Sequence, residues 1–257
     1  MQAVKLCDNF SQLTQGKAHY VFNHTLIENF SVKMLVPSYW QQQQAITGSA
    51  QGRGTTWFIA YQHSKHTKQH WVLKHYYRGG LIGKLINDSY WFNGLSKTRA
   101  ACEFALLRHM NTLNLPAPQP IAYQVQQQGF YYTADLLSSR IENANDLVAI
   151  LTKKSLADNV WFTIGATIKR FHQHSIYHHD LNSHNILLNN KVEVFLIDFD
   201  RGELRTNPIK TQWKQDNIER LQRSFLKEKN KLTTFHFNDD NWQILLQGYH
   251  NGITRED

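Results

Sequence analysis

The sequence predicts an α+β chain in two parts, strand-rich first and helical second, and three observations predict it. Strand-like runs recur in the first half, at Thr55–Ala60, Trp71–Tyr77, Ile121–Val125 and Phe130–Leu137. One amphipathic helix interrupts them over Arg99–Asn111, with Ala101, Phe104, Leu107 and Met110 at helical offsets. From Asn145 onward the pattern turns helical, most clearly at Trp161, Ile164, Ile168 and Phe171, whose 3-4-3 spacing gives one apolar face. The change between the two patterns falls near residues 134–141.

Composition bounds the function. A chain of 257 residues can bury one large core or two packed lobes, and no third domain fits. Hydrophobic residues at 41% and charged residues at 19%, with only 5 prolines, exclude a disordered tail. A formal net charge of +8 draws the chain toward something anionic: nucleic acid, an anionic membrane surface or a negatively charged substrate. Cys7 and Cys102 alone make neither a disulfide scaffold nor a metal knuckle, which fits a reducing compartment. Residues 1–15 lack the apolar core of a signal peptide, and no run of eighteen apolar residues predicts a spanning helix. Surface attachment to a membrane stays open.

Taken in order, residues 1–45 predict a strand pair and a short helix. Gly48, Gly52 and Gly54 follow, three glycines in seven residues before a strand, where a turn can bring its amides close to phosphates. The pattern is neither G-x-x-x-x-G-K-[ST] nor G-x-G-x-x-G, and a hairpin without a ligand would look the same. Lys74 is a charge inside the apolar run Trp71–Tyr77; it either sits on the wet face of a sheet or meets Glu103, 29 residues later on the predicted helix. Between them, Arg78 and Lys84 flank three glycines, an ordinary loop or a surface for an anionic acceptor. Pro116, Pro118 and Pro120 end the helix and feed the next strand. Backbone groups of Ala134, Asp135 and Leu136, beside the change of pattern, are the expected contacts for adenine.

The chemistry-bearing stretch is His178-His179-Asp180-Leu181-Asn182-Ser183-His184-Asn185, followed by Leu196-Ile197-Asp198-Phe199-Asp200. Asn185 comes five residues after Asp180 and Asp198 eighteen after it, with apolar strand-like runs between. This is the arrangement used for phosphoryl transfer by protein-kinase-like enzymes. One carboxylate, Asp180, orients an attacking hydroxyl and takes its proton; an amide, Asn185, and a second carboxylate, Asp198, hold Mg2+ against phosphates. Lys74, paired with Glu103, meets the phosphates. Asp200 either adds an oxygen to the metal or caps a turn, and His178 braces the loop. His172, His174, His178, His179 and His184 raise the rival of a zinc site, but HExxH is absent, no cysteine is near, and satisfied structural histidines explain the cluster.

On these residues, with Lys74, Glu103 and the turn Arg78-Gly79-Gly80-Leu81, the sequence resembles the 3-deoxy-D-manno-octulosonic acid (Kdo) kinases of Gram-negative bacteria, over nearly the whole chain. The resemblance implies a bilobal protein-kinase-like fold: a small, mostly antiparallel β-sheet lobe with one main helix, residues 1–137, and a reduced, mostly helical lobe, residues 138–257. It implies transfer of the γ-phosphate of ATP, with Mg2+, to the 4-hydroxyl of a Kdo residue linked to lipid A. It further implies a peripheral protein at the cytoplasmic face of the inner membrane, with neither nucleic acid nor an obligate protein partner.

Departures from the ordinary kinase pattern narrow the acceptor. His179 stands where an arginine usually contacts a phosphorylated activation segment, Asp200 replaces glycine, and no A-P-E follows. Only 57 residues remain after Asp200, enough for helices near Gln212–Lys227 and Asp239–Tyr249. That shortens the part on which kinases dock peptides and favours a small or glycan acceptor. The competing readings are a kinase for heptose, an antibiotic or a protein serine, a silent pseudokinase, and a nucleic-acid binder, the last without a helix-turn-helix, zinc-finger or RNP signature.

Overall fold

The computed structural model describes residues 4–7, 9–52, 54–62, 68–77 and 88–252. They fall into two compact units, the first holding residues 1–108 and 118–140, the second residues 109–117 and 141–257. The chain therefore crosses after Arg140, three residues later than expected, and the end of the main helix with the segment that follows goes with the second unit.

The first unit is built on strands β1 (Val4–Cys7), β2 (Phe10–Gln15), β3 (Ala18–Asn23), β4 (Ile46–Gln51), β5 (Thr55–Gln62), β6 (Lys68–His75), β7 (Tyr90–Trp91), β8 (Pro120–Gln128) and β9 (Tyr131–Ser139). All pair antiparallel in the order β1-β2-β3-β8-β9-β6-β5-β4, with β7 added to β9. Three amino-terminal strands thus stand where a pair was expected. The sheet is covered on both faces. Helix α1 (Pro37–Gln42) and the short 3-10 turn Val32–Leu35 bury Met34, Leu35 and Trp40 against Trp71, Leu73 and Leu137. Trp40 satisfies its buried indole N–H on the Met34 carbonyl at 2.7 Å. On the other face helix α2 (Arg99–Thr112) sets Phe104 edge-on to Phe10 and Tyr123.

The second unit holds strand β10 (Ala144–Asp146) and helices α3 (Leu147–Leu151) and α4 (Asp158–Gln173), then β11 (Ile176–Tyr177), β12 (Ile186–Asn189), β13 (Val194–Leu196) and β14 (Glu203–Leu204). Helices α5 (Gln212–Lys231) and α6 (Asp239–Asn251) complete it, longer than the expected spans by four and two residues at their ends. The strands form two small sheets, β10-β12-β13 and β11-β14. Local chemistry starts these helices: Asp146 accepts from the Ala149 amide, and Asn238 and Asn241 cap each other reciprocally at α6. The predicted face of α4 is the core, with Trp161, Ile164, Ile168 and Phe171 all buried. Phe171 stacks on Phe199 at 5.7 Å, which seats the helix directly under the segment bearing Asp198 and Asp200.

Helices α4 and α6 meet backbone to backbone. A Cβ on Gly165 would run into the Leu245 carbonyl oxygen, and one on Gly248 into the Phe162 carbonyl oxygen. Neither obstacle is a side chain that can turn away. Gly165→Ala is therefore expected to cost about 3 kcal/mol or more, read as a lowered Tm, and an unchanged Tm would mean the helices part freely. No helix among the described residues is long and apolar enough to cross a membrane.

Candidate active site

In the first unit, Lys74 follows from strand register. It stands on β6 between Thr56 of β5 and Leu136 of β9, on the face covered by α2. Its ammonium reaches both carboxylate oxygens of Glu103 on α2, at 3.0 and 2.9 Å. Glu103 is 4% exposed, so a carboxylate there is tolerable only because it is charge-paired and hydrogen-bonded. The third bond comes from Tyr76, whose hydroxyl donates to Glu103 Oε2 at 2.6 Å, while Lys74 Nζ lies 4.9 Å from the centre of the same ring. Tyr76 was not singled out from the sequence, although its position two residues beyond Lys74 puts it on the same strand face.

The glycine-rich stretch forms the β4–β5 hairpin. Gly48 lies within β4 opposite Phe58, and Gly52 N–H closes the turn onto the Gly54 carbonyl at 3.0 Å. A side chain at Gly54 would strike the Tyr77 ring. Because Thr56 pairs with Lys74, this turn stands at the sheet end that carries the lysine. The expected acceptor surface Arg78–Lys84 lies outside the described residues.

Ala134, Asp135 and Leu136 are placed otherwise than expected. They lie in the middle of β9, buried and flanked on both edges by β8 and β6, so their backbone groups serve the sheet and are not left for adenine. Asp135 is further committed through its side chain: Oδ1 meets His75 Nδ1 at 2.7 Å and Oδ2 accepts from Gln124 at 2.7 Å. Burial opposes a charge on His75, but the hydrogen bond and charge of Asp135, with Asp88, outweigh it and raise the pKa.

In the second unit the loop after β11 and the turn after β13 are tied through one ring. The Asp180 amide donates to His178 Nδ1 at 3.2 Å, so Nδ1 must be unprotonated, and Nε2 donates to the Ile197 carbonyl at 2.9 Å. Burial lowers the His178 pKa against the pull of Ile197, Asp198 and Asp180, which keeps this neutral tautomer in place. Asn185 completes the frame. Its Nδ2 donates to the Asp180 carbonyl at 2.9 Å, and its own carbonyl accepts from the Ile197 amide at 3.0 Å. Asn182 caps the loop, accepting from the amides of His184 and Asn185. Asp198 has φ of +60°, a left-handed turn that an aspartate tolerates at the end of β13. Gly202 N–H closes the next turn onto Phe199 at 2.7 Å, around Asp200.

Two further side chains complete this frame and carried no sequence signal. Arg220, forty residues away on α5, donates to Asp180 Oδ1 at 2.9 Å, and Asn217 on the same helix donates to the His178 carbonyl at 3.0 Å. Burial lowers the His179 pKa, and the charges of Arg201, Arg220 and Arg205 act in the same direction. Arg220 is thus the cation that meets the Asp180 carboxylate, while Arg201 and Arg205 act on the neighbouring His179.

The remaining histidines are bound up separately. His172 meets the Tyr249 hydroxyl at 2.7 Å, and His184 lies 3.5 Å from Asp146 and 3.6 Å from Glu228. Among the described residues no three of His, Cys, Asp or Glu gather as a metal site. Magnesium asks for less: with the Asn185 amide nitrogen engaged on the Asp180 carbonyl, Asn185 Oδ1 and the Asp198 carboxylate are hard oxygen donors of the type that fits Mg2+ alongside phosphates. His172 sets a pH dependence. Burial lowers its pKa to about 3, whereas the unfolded chain binds a proton near the ordinary value of 6.5. Stability is then full above pH ~6.5 and falls below it, by about 2 kcal/mol at pH ~5 from this residue. A Tm series across that range should show the slope, and His172→Phe should reduce it while His178, shifted the same way, keeps a part.

A β-rich unit with a helix-clamped strand lysine, and a helical unit in which His178 and Asn185 tie the backbone of Asp180 to that of Ile197, the residue before Asp198, are the features of a protein-kinase-like phosphotransferase. Within that class the chain belongs to the Lipopolysaccharide kinase (Kdo/WaaP) family, whose profile matches residues 37–249. It is 43% identical over 238 residues to the 3-deoxy-D-manno-octulosonic acid kinase of Photobacterium damsela subsp. piscicida, covering 92% of this chain and 95% of that protein. Kinases of the same name from Mannheimia succiniciproducens and Vibrio cholerae are 47% and 44% identical, over 83% and 80% of this chain and 88% and 85% of theirs.

Proposed function

We propose that this chain transfers the γ-phosphoryl group of ATP to the 4-hydroxyl of a Kdo residue in Kdo-lipid A, working as a peripheral protein at the cytoplasmic face of the inner membrane. The observation that carries the reaction is the frame in which His178 and Asn185 lock the backbones of Asp180 and Ile197 together. The acceptor reading is supported by the names of the relatives and by Arg220 on Asp180, with Arg201 and Arg205 near His179, cations that complement an acceptor that is itself a carboxylic acid. Asp180 orients the hydroxyl and accepts its proton as the oxygen bonds to the γ-phosphorus and the bond to the bridging oxygen breaks, releasing ADP. Lys74, held by Glu103 and Tyr76, offsets phosphate charge. Asn185 and Asp198 would hold Mg2+, which neutralises the charge of the transferring group.

The test offers Mg-ATP with Kdo-lipid A, with heptosylated core and with a generic peptide, and reads phosphate by mass spectrometry. Phosphate on the Kdo is expected. Phosphate on heptose alone would move the acceptor to the core heptose, and phosphate on the peptide alone would overturn the glycolipid reading.

A further inference from the structure

Trp91, Phe130 and Tyr131 are 54, 72 and 42% exposed, and they form one patch. The Trp91 ring stacks on Phe130 at 5.6 Å with 6° between planes and meets Tyr131 edge-on at 5.5 Å. Most large exposed apolar residues need no explanation when they are scattered, but three stacked rings do. The backbone holds them in place: Trp91 pairs with Tyr131, the Phe92 amide donates to the Phe130 carbonyl at 2.8 Å, and Gly129 turns the hairpin at φ of +60°. The patch is therefore ordered before anything binds it, at the tip of the β8–β9 hairpin.

The charge around it is one-sided. Lys17 is exposed at the same sheet end, its carbonyl accepting from the Gln127 amide at 3.0 Å. Lys97 is exposed on the loop after β7, and Arg99 donates to the Tyr90 hydroxyl at 2.6 Å. The segments that register brings to this end of the sheet, 17–20, 89–99 and 124–134, hold 26 residues without one Asp or Glu, in a chain with 20 acidic residues. The two carboxylates that adjoin these residues in sequence, Asp88 and Asp135, both pair with His75, at 3.4 and 2.7 Å.

We propose that Trp91, Phe130 and Tyr131 enter the headgroup region of an anionic bilayer, with Lys17, Lys97 and Arg99 meeting its lipid phosphates. The inference rests on the reading above that the acceptor is a membrane-embedded glycolipid. Tryptophan and tyrosine settle where one end of a ring is apolar and the other wet, and phenylalanine reaches the acyl boundary. A hairpin tip enters such a boundary without a groove to fill, and basic residues beside it add attraction to anionic lipid. A second copy does not fit. A two-fold contact through the tip would set these cations against themselves, with no acid among the described tip residues to answer them.

The test is co-sedimentation of the full chain with phosphatidylcholine vesicles, with and without phosphatidylglycerol, for the wild type, Trp91→Ser, Phe130→Ser and the double variant. Binding is expected with the anionic vesicles and is expected to fall about tenfold for each ring removed. Brominated lipid should quench a part of the fluorescence that Trp91→Phe abolishes. The variants should keep their Tm and their activity on a deacylated, water-soluble acceptor, while losing activity on acceptor embedded in vesicles. Unchanged sedimentation of the double variant overturns the proposal, as does a loss of self-association or of single-stranded oligonucleotide binding without a change in vesicle binding. If neither acceptor is phosphorylated and ring-dependent vesicle binding persists, the acceptor reading falls and the lipid surface stands.

Discussion

Asp180→Ala is expected to lower turnover by about a thousandfold or more while leaving nucleotide affinity and stability close to those of the wild type. The separation follows from which atoms of Asp180 do what. His178 and Asn185 hold the loop through the amide and carbonyl of residue 180, and an alanine keeps both. The side chain itself touches Arg220, in a pair where both partners are about half exposed, a kind of contact that contributes little to folding. What the variant loses is the carboxylate that meets the acceptor hydroxyl. Initial rates of phosphate incorporation and a nucleotide titration check both halves, and turnover within tenfold of the wild type would remove Asp180 from the chemistry.

Those same contacts show what the sequence could and could not disclose. Asp180 and Asn185 are five residues apart because one loop must fold back on its own carbonyl, a constraint that is local and therefore legible in the spacing. The pairing of Lys74 with Glu103 was legible for a different reason: a lone cation in an apolar strand and a lone acid in an apolar helix each need a partner, and a sheet covered by one helix brings them together. Arg220 and Asn217 come from a helix forty residues downstream whose surface is polar almost throughout, so no residue in it stands out. Ala134–Leu136 were misplaced because a strand buried on both faces has no polar alternation to mark where it ends. The short helix expected within residues 1–45 is Pro37–Gln42, but the covering 3-10 turn at Val32–Leu35 was hidden, since so short a turn buries too few residues to show a period.

The Lys74–Glu103 pair separates activity from stability in one set of variants. Lys74→Met is expected to reduce turnover by about a hundredfold or more, since it removes a fixed charge from the phosphates. It also leaves a carboxylate that is 4% exposed with the Tyr76 hydroxyl and no cation, which is expected to cost about 3 kcal/mol in stability. Glu103→Leu should impair turnover too, through a lysine that is no longer held. The two changes together are the decisive case. Removing both charges replaces a buried ion pair with apolar groups, which is neutral for folding or better, so the double variant should recover much of the Tm that Lys74→Met loses. Its turnover should stay as low as that of Lys74→Met alone, because Glu103 acts only through the lysine and its loss adds nothing once the lysine is gone. A double variant slower than Lys74→Met by the full Glu103→Leu factor would mean that Glu103 acts on the nucleotide by a route of its own. One that regained turnover along with Tm would mean that the pair serves the fold and leaves the phosphates to another cation.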